Sequence, residues 1–212
     1  MTAYMIEVSD AVKSFKETTA LKRVSVKFER GKIHGVIGRN GSGKTVLFKC
    51  VCGFMHLDSG RILVDGQPVK PAAAQDIGII IEEPGFIGSF SGFKNLKLLA
   101  SIRRVISDEQ IRQTLQLVGL DPQSKKQVRK YSLGMRHRLG IAQAIMEKPK
   151  LLILDEPMSG LDKQGVLEIR EVLKQLKKEG VTIVLSSHYA EDIDVLCDTV
   201  CEMDGGVLTT IK

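Results

Sequence analysis

The sequence lacks any apolar run long enough to cross a lipid bilayer. A membrane-spanning helix needs about 18 to 20 consecutive apolar residues, and no stretch of the 212 residues approaches that length. The first ten residues carry acidic charge, where a signal peptide would be basic and then apolar. The sequence therefore predicts a soluble protein that stays in the cytosol.

Cysteine is scarce as well. The four cysteines fall as two close pairs, and neither pair has the doubled C-x-x-C spacing typical of a zinc site. The cytosol keeps thiols reduced, so disulfide bonds are not expected. We interpret all four, Cys50, Cys52, Cys197 and Cys201, as small core residues.

The positive charges do not form an obvious nucleic-acid footprint. The formal net charge is +6, but the basic residues are scattered, and their densest groups lie at 125–130, 136–138 and 174–178 without interleaved aromatic residues. A basic surface for nucleic acid or an anionic membrane is the alternative to solvated helix faces. We favour the solvated faces and expect no nucleic-acid partner.

Short β-branched runs alternate with helical patterns along most of the chain, which is typical of parallel strands joined by crossover helices. Apolar residues recur every three or four positions between Lys163 and Lys178, which predicts an amphipathic helix that ends at Gly180. The predicted fold class is therefore α/β with a mostly parallel sheet. Near-continuous apolar runs predict its buried strands at Ile33–Ile37, Ile77–Ile81, Leu151–Leu154 and Val181–Leu185.

Two parts of the sequence differ from this alternation. Ile6–Val8 and Val24–Phe28 are predicted as antiparallel strands that join Arg61–Val64 in a small β layer beside the main sheet. Residues 84–130 are predicted as an inserted helical lobe with helices at Lys94–Arg103 and Asp108–Gly119. No repeat or low-complexity linker interrupts the chain, so we expect one domain over residues 1–212.

A phosphate-binding loop is predicted at residues 38–45, which match G-x-x-x-x-G-K-[ST] at every fixed position between a predicted strand and a helix. The glycines allow backbone N–H groups to wrap around phosphate oxygens, and the helix N-terminus favours anions. Lys44 supplies a cation, and Thr45 supplies a hydroxyl for Mg²⁺. The predicted nucleotide-binding residues here are Gly38, Arg39, Asn40, Gly41, Ser42, Gly43, Lys44 and Thr45.

Two carboxylates follow the apolar strand at residues 151–154. Ligands of open parallel sheets bind outside the carboxyl ends of the strands, so Asp155 is expected to face the phosphates and complete the Mg²⁺ site. Glu156 is then free to orient an attacking water and accept its proton. Alone, Asp-Glu after a strand could be a pair of solvated acids; together with the loop at 38–45 it predicts a nucleotide-hydrolysing site.

Three further segments resemble motifs of the ABC ATPase family. Residues 131–139 (YSLGMRHRL) resemble the ABC signature in a Y-S-L-G-M variant, Ser159–Asp162 is similar to the D-loop, and Ser187 with His188 is similar to the switch-histidine segment. All motifs stand in the family's order and spacing, and the resemblance covers essentially the whole chain. The fold that it implies is a P-loop NTPase core with an antiparallel β layer and a helical lobe.

The resemblance implies a head-to-tail dimer, expected to contain two identical chains, that encloses two ATP molecules. Ser132, as the N-cap of the next helix, and Gly134 would face the terminal phosphate held by the partner's loop. His188 would contact the same phosphate, with an ordinary surface histidine as the alternative. Asp162 would couple the two sites. Phe15 would stack on adenine, or else simply pack in the β layer.

The sequence departs from the commonest family pattern at two places. Glu82 stands where most relatives carry glutamine; it keeps an oxygen for metal or water but adds a charge. Leu133 and Met135 replace a glycine and a glutamine of the commonest signature. These variants and the phrase IEEPGF are similar to bacterial exporters of the antibiotic and bacteriocin self-protection type. The expected ligands are ATP and Mg²⁺, the latter held by Thr45, Asp155 and Glu82.

The function implied by the resemblance is that of an ATP-hydrolysing motor bound to transmembrane permease subunits on the inner face of the cell membrane. Its expected catalytic residues are Glu156, His188 and Lys44. The alternative is a soluble ABC ATPase acting on nucleic acid, ribosomes or cofactor assembly, but fused ATPase units and coiled-coil arms are missing. A P-loop kinase or GTPase is disfavoured because no Asn-Lys-x-Asp guanine-reading motif occurs.

Overall fold

The computed structural model describes residues 3–69 and 76–212, which form two sheets flanked by helices. The first sheet is the expected antiparallel β layer, with the strand order β2-β1-β4-β5. Its long central hairpin contains irregular register at several points, where the paired strands bend. The strands are β1 (Tyr4–Phe15), β2 (Thr18–Glu29), β4 (Ser59–Val64) and β5 (Gln67–Pro68).

The second sheet has the order β10-β9-β3-β8-β7-β6 and is parallel except for its edge strand β10. Every residue of the strands β7 and β8 is buried, which explains their apolar composition. The prediction of an α/β fold with a mostly parallel sheet is confirmed. The strands are β3 (Ile33–Ile37), β6 (Ile77–Ile80), β7 (Leu151–Leu154), β8 (Thr182–Ser186), β9 (Thr199–Asp204) and β10 (Val207–Thr210).

Six α-helices connect the strands within the described residues. In this part of the chain, none of them is both long and apolar enough to span a membrane. A short 3₁₀ turn, Val128–Lys130, precedes the fourth helix. The helices are α1 (Lys44–Val51), α2 (Gly92–Arg103), α3 (Asp108–Leu117), α4 (Leu133–Ile145), α5 (Lys163–Lys178) and α6 (Ala190–Leu196).

Capping and backbone conformation account for small differences from the predicted boundaries. Helix α2 begins two residues earlier than predicted because the Ser91 hydroxyl accepts the N–H of Lys94 and caps the helix. Helix α3 ends at Leu117, before Gly119 turns the chain at φ +76°. Strand β8 begins at Thr182 and extends one residue further than predicted, to Ser186.

Close packing brings α4 onto the edge strand β6. A Cβ atom at Gly78 would lie only 2.0 Å from the carbonyl oxygen of Ala144, so a glycine is required at this contact. This packing fixes the helix that begins at the signature segment. The four cysteines are buried and unpaired, as predicted; burial raises the pKa of Cys50 to about 11 and the pKa of Cys52 to about 12.

Candidate active site

The loop at residues 38–45 joins β3 to α1 and is pressed against the backbone of neighbouring strands. Gly38 has φ +141°, and a Cβ there would lie 2.1 Å from the carbonyl oxygen of Met203. Gly43 has φ +116°, and its Cβ would lie 2.5 Å from the carbonyl oxygen of Ala20. Side chains are therefore excluded at both positions by conformation and by space.

Lys44 lies inside this loop and is only 6% exposed. Its Nζ donates to the carbonyl oxygens of Gly38 (2.6 Å) and Arg39 (3.1 Å). Gly43 offers α1 no side-chain cap, so the first-turn N–H groups can bind an anion. Ser42 Oγ is buried without a hydrogen-bond partner among the described residues. The loop thus combines a cation with unused polar groups, which fits a phosphate ligand.

Asp155 lies directly after β7 and faces this loop. Its Oδ2 accepts the hydroxyl of Thr45 at 2.7 Å, and its Oδ1 accepts the hydroxyl of Ser186 at 2.6 Å. The second contact follows from the parallel register, which pairs Leu154 with Leu185 and so places Asp155 beside Ser186. Mg²⁺ in phosphate-transfer sites is commonly held by one or two protein oxygens and the substrate phosphates, so Thr45 and Asp155 fit that ion.

Glu156 follows in a left-handed conformation, with φ +53°. Its N–H donates to Ser186 Oγ (2.9 Å), and its Oε2 accepts the N–H of His188 (3.3 Å). Burial raises the pKa of the Glu156 carboxyl above its ordinary value, against the opposing charge of His188. Glu156 is therefore held at its backbone by β8 and at its carboxylate by the loop that follows β8.

The imidazole of His188 joins this segment to the phosphate-binding loop. Its Nε2 lies 2.9 Å from Asn40 Oδ1 and 3.1 Å from Glu156 Oε1. We assign the hydrogen bond to Asn40, because Glu156 Oε1 makes no well-aligned hydrogen bond to any described residue. Six predicted site residues are thus brought together at one edge of the main sheet: Asn40, Lys44, Thr45, Asp155, Glu156 and His188.

The predicted signature and D-loop residues form a neighbouring group. The Ser132 hydroxyl accepts the N–H of Met135 at 3.2 Å and caps α4, as predicted. A Cβ at Gly134 would lie 2.9 Å from the carbonyl oxygen of Gly160, so the two segments are in close contact. Asp162 caps α5 by accepting the N–H of Gly165 at 2.9 Å. These residues are therefore fixed at two helix N-termini.

Two predicted site residues have other partners in the structure. Glu82, 66% exposed at its side chain, pairs with Lys49, whose Nζ lies 2.5 Å from its Oε1. Phe15 lies at the end of β1 and is 43% exposed, with the Lys13 Nζ 5.6 Å from its ring centroid. The ring of Phe15 is therefore accessible to a planar ligand, whereas the carboxylate of Glu82 is engaged by a cation.

Ser186 was not among the predicted site residues, yet its hydroxyl donates to the Asp155 carboxylate and accepts the backbone N–H of Glu156. The parallel register of β7 and β8 could have identified Ser186, because residues at the aligned ends of neighbouring strands lie close together. No group of three or more His, Cys, Asp or Glu side chains within residues 3–69 and 76–212 is arranged to hold a metal. The candidate Mg²⁺ site instead combines one hydroxyl with one carboxylate.

Comparison with known proteins shows the family of the chain. The family model described as ABC transporter matches residues 21–159. The chain belongs to the ABC transporter family. It is 42% identical over 208 residues to the uncharacterised ABC transporter ATP-binding protein YybJ of Bacillus subtilis, an alignment that covers 97% of this chain and 95% of the relative. The chain is thus an ATP-binding, ATP-hydrolysing subunit of this family.

Two relatives with named transport roles are also similar. The bacitracin transport ATP-binding protein BcrA of Enterococcus faecalis is 40% identical, with 97% of this chain and 68% of the relative covered. The lantibiotic transport ATP-binding protein SrtF of Streptococcus pyogenes is 38% identical, with 92% and 84% covered. A dimeric ATP-binding cassette bound to ADP and Pi has the same fold, with a TM-score of 0.89 at 19% identity over 98% and 99% of the two chains.

Proposed function

We propose that this chain is the ATP-hydrolysing motor of an exporter for antibiotic or bacteriocin-type molecules. The observation that carries the proposal is the convergence of Lys44, Thr45, Asp155, Glu156 and His188 at one edge of the sheet. The relatives named for bacitracin and lantibiotic transport support the choice of cargo class.

In this proposal, residues 38–45 bind the ATP phosphates. Lys44 exchanges the carbonyl oxygens of Gly38 and Arg39 for phosphate oxygens, while the N–H groups of the loop and of the first turn of α1 donate to the same anion. Thr45 and Asp155 would hold Mg²⁺, and Glu82 would contribute a further oxygen if its carboxylate left Lys49. The ion would neutralise negative charge on the outer phosphates.

Glu156 acts as the general base. It accepts a proton from the water whose oxygen attacks the terminal phosphorus, and the bond from that phosphorus to the bridging oxygen of ADP breaks. A buried carboxylate with a raised pKa is a better proton acceptor than a solvated one, provided that it remains ionised. His188 contacts the terminal phosphate with Nε2–H, the group that donates to Asn40 in this structure.

A second copy of the chain completes each site. Ser132 and Gly134 present the N-terminus of α4 to the phosphate held by the partner, and Phe15 stacks on adenine. The close contact of Gly134 with the backbone of Gly160 supports a role for the D-loop and Asp162 in coupling the two sites. The head-to-tail homodimer is therefore the proposed working form.

Permease subunits are the proposed membrane partners, and they hold the motor at the inner face of the membrane. We propose that residues 84–130 form a helical lobe within a single domain over residues 1–212. A groove of about 460 Å³ lies between the edge of β6, the lobe and α4. Phe54 and Ile102 line it and are 66% and 77% exposed, which supports docking of an apolar permease segment.

Light scattering of purified Glu156→Gln with and without Mg-ATP tests the proposal. Loss of the base should preserve ATP binding and trap the nucleotide, so we expect Mg-ATP to convert the monomer to a dimer. Lys44→Ala is the matched control and should remain monomeric because it binds ATP weakly. A Glu156→Gln protein that binds ATP but never dimerises would contradict the homodimer.

A further inference from the structure

A buried ion pair lies beneath the segment that carries His188. Arg170 on α5 and Asp192 on α6 are 5% and 1% exposed. Both Nε (2.9 Å) and Nη2 (2.6 Å) of Arg170 donate to Oδ1 of Asp192, and Nη1 donates to Glu191 at 2.8 Å. Burying charges is unfavourable unless they are paired and hydrogen-bonded, so this arrangement depends on accurate placement of both helices.

The second oxygen of Asp192 binds the Ser187 side chain and, through it, the backbone N–H of Tyr189, on either side of His188. Asp192 Oδ2 accepts the Ser187 hydroxyl at 2.8 Å, and the same Ser187 Oγ accepts the N–H of Tyr189 at 3.1 Å. The residues before and after His188 are thus tied to one buried carboxylate. That carboxylate is in turn held by Arg170, which none of the proposed catalytic steps uses.

The arginine connects this carboxylate to the helix that starts at the D-loop. Arg170 lies just over two helical turns after Asp162, the N-cap of α5. A continuous packed helix moves as a unit over this length, so displacement at its N-terminus is expected to reach Asp192 and Ser187. The same chain of contacts ends at the His188 imidazole, beside Asn40 and Glu156.

We infer that Arg170, Asp192 and Ser187 form a positioning relay, which aligns His188 with the terminal phosphate and links its position to α5. The inference rests on the proposed function, in which His188 contacts that phosphate. A purely structural role, in which the ion pair only packs α6 against α5, is the competing explanation. The two explanations make different predictions for turnover. If the relay positions His188, substitutions in the relay lower turnover only when the His188 side chain is present.

A double-mutant cycle separates these explanations. Ser187→Ala removes one hydroxyl and leaves the ion pair intact, so we expect kcat for ATP hydrolysis to fall about tenfold to a hundredfold through misplacement of His188, with KM and Tm near their wild-type values. Ser187→Ala should cause no further loss of kcat in the His188→Ala background, because contacting residues that act through one another are not additive.

A second cycle tests the buried pair itself. Asp192→Asn keeps an oxygen for Ser187 but removes the charge that holds Arg170, so both kcat and Tm should decrease. In the His188→Ala background the Tm loss should persist while the kcat loss disappears. Glu168→Gln is the matched control, because Glu168 lies on the same helix as Arg170 but pairs with Arg138 of α4 at 2.7 Å, and it should leave kcat unchanged. Ser25→Ala controls for loss of a hydroxyl that accepts a backbone N–H elsewhere.

Two kinds of failure can be distinguished. If Ser187→Ala keeps wild-type kcat, or if the losses from Ser187→Ala and His188→Ala multiply, the positioning relay is wrong while the proposed function stands. If His188→Ala itself keeps wild-type turnover, the proposed role of His188 and the relay are both wrong. A kcat loss from Asp192→Asn that persists without His188 would assign the ion pair a structural role.

Discussion

Replacing Lys44 with alanine tests the phosphate-binding loop most directly. The Lys44 ammonium is buried and makes two hydrogen bonds within the loop, to the carbonyl oxygens of Gly38 and Arg39. In the proposed complex the same group donates to phosphate oxygens. A hydrogen bond to a charged group contributes about 1.5–3 kcal/mol, so ATP affinity should fall about 10- to 150-fold.

Calorimetric titration with a non-hydrolysable ATP analogue and Mg²⁺ measures this change without interference from turnover. Lys178→Ala is the matched control, because it removes the same charge from the exposed end of α5. Thermal unfolding of both variants should show folded protein, which separates loss of binding from loss of structure. Wild-type affinity in the Lys44→Ala variant, with the control also unchanged, would refute the assignment of this loop.

Three further predictions concern turnover, loop packing and pH. Glu156→Gln should lower phosphate release about 10²- to 10⁴-fold while ATP affinity measured by titration persists; unchanged turnover would exclude the base. Gly38→Ala should lower both Tm and ATP affinity, because its Cβ would meet the Met203 carbonyl oxygen at 2.1 Å; a wild-type melting curve and affinity would contradict this. Burial lowers the pKa of His34 below 6.5, so the unfolded state binds its proton more readily, and the free energy of unfolding should fall as pH decreases below 6.5. Denaturant titrations above and below pH 6.5 should show that the free energy of unfolding depends less on pH in His34→Gln than in the wild type. An equal pH dependence in the two proteins would assign the effect to other groups.

The parts of the fold that the sequence predicted have strong local signals. Strands β7 and β8 are buried on both faces, so their apolar runs are nearly continuous. Helix α5 has one buried face and a regular helical period. Strand β9 and its edge partner β10 were not predicted, because β9 pairs with β3 across more than 160 residues of sequence and carries polar residues at both ends.

Some contacts of the candidate site could likewise be predicted from the sequence, and others could not. The contact between Thr45 and Asp155 spans 110 residues, yet it could be anticipated because both residues follow parallel strands of one sheet. The contact of Ser187 with Asp192, and of Asp192 with Arg170, depends on how α6 packs on α5, for which no local pattern exists. Residues that act at the ends of strands are thus easier to predict than residues of packed helices that hold them in position.

Glu82 shows how a departure from the common family residue can be compensated nearby. Its negative charge, absent from glutamine, is met by Lys49, which lies on α1 four residues after Thr45 and hence on the same helix face. Glu82 is largely exposed and Lys49 partly exposed, so the pair contributes at most about 1 kcal/mol. That is strong enough to offset the extra charge but weak enough to break when Glu82 turns towards the proposed Mg²⁺ site.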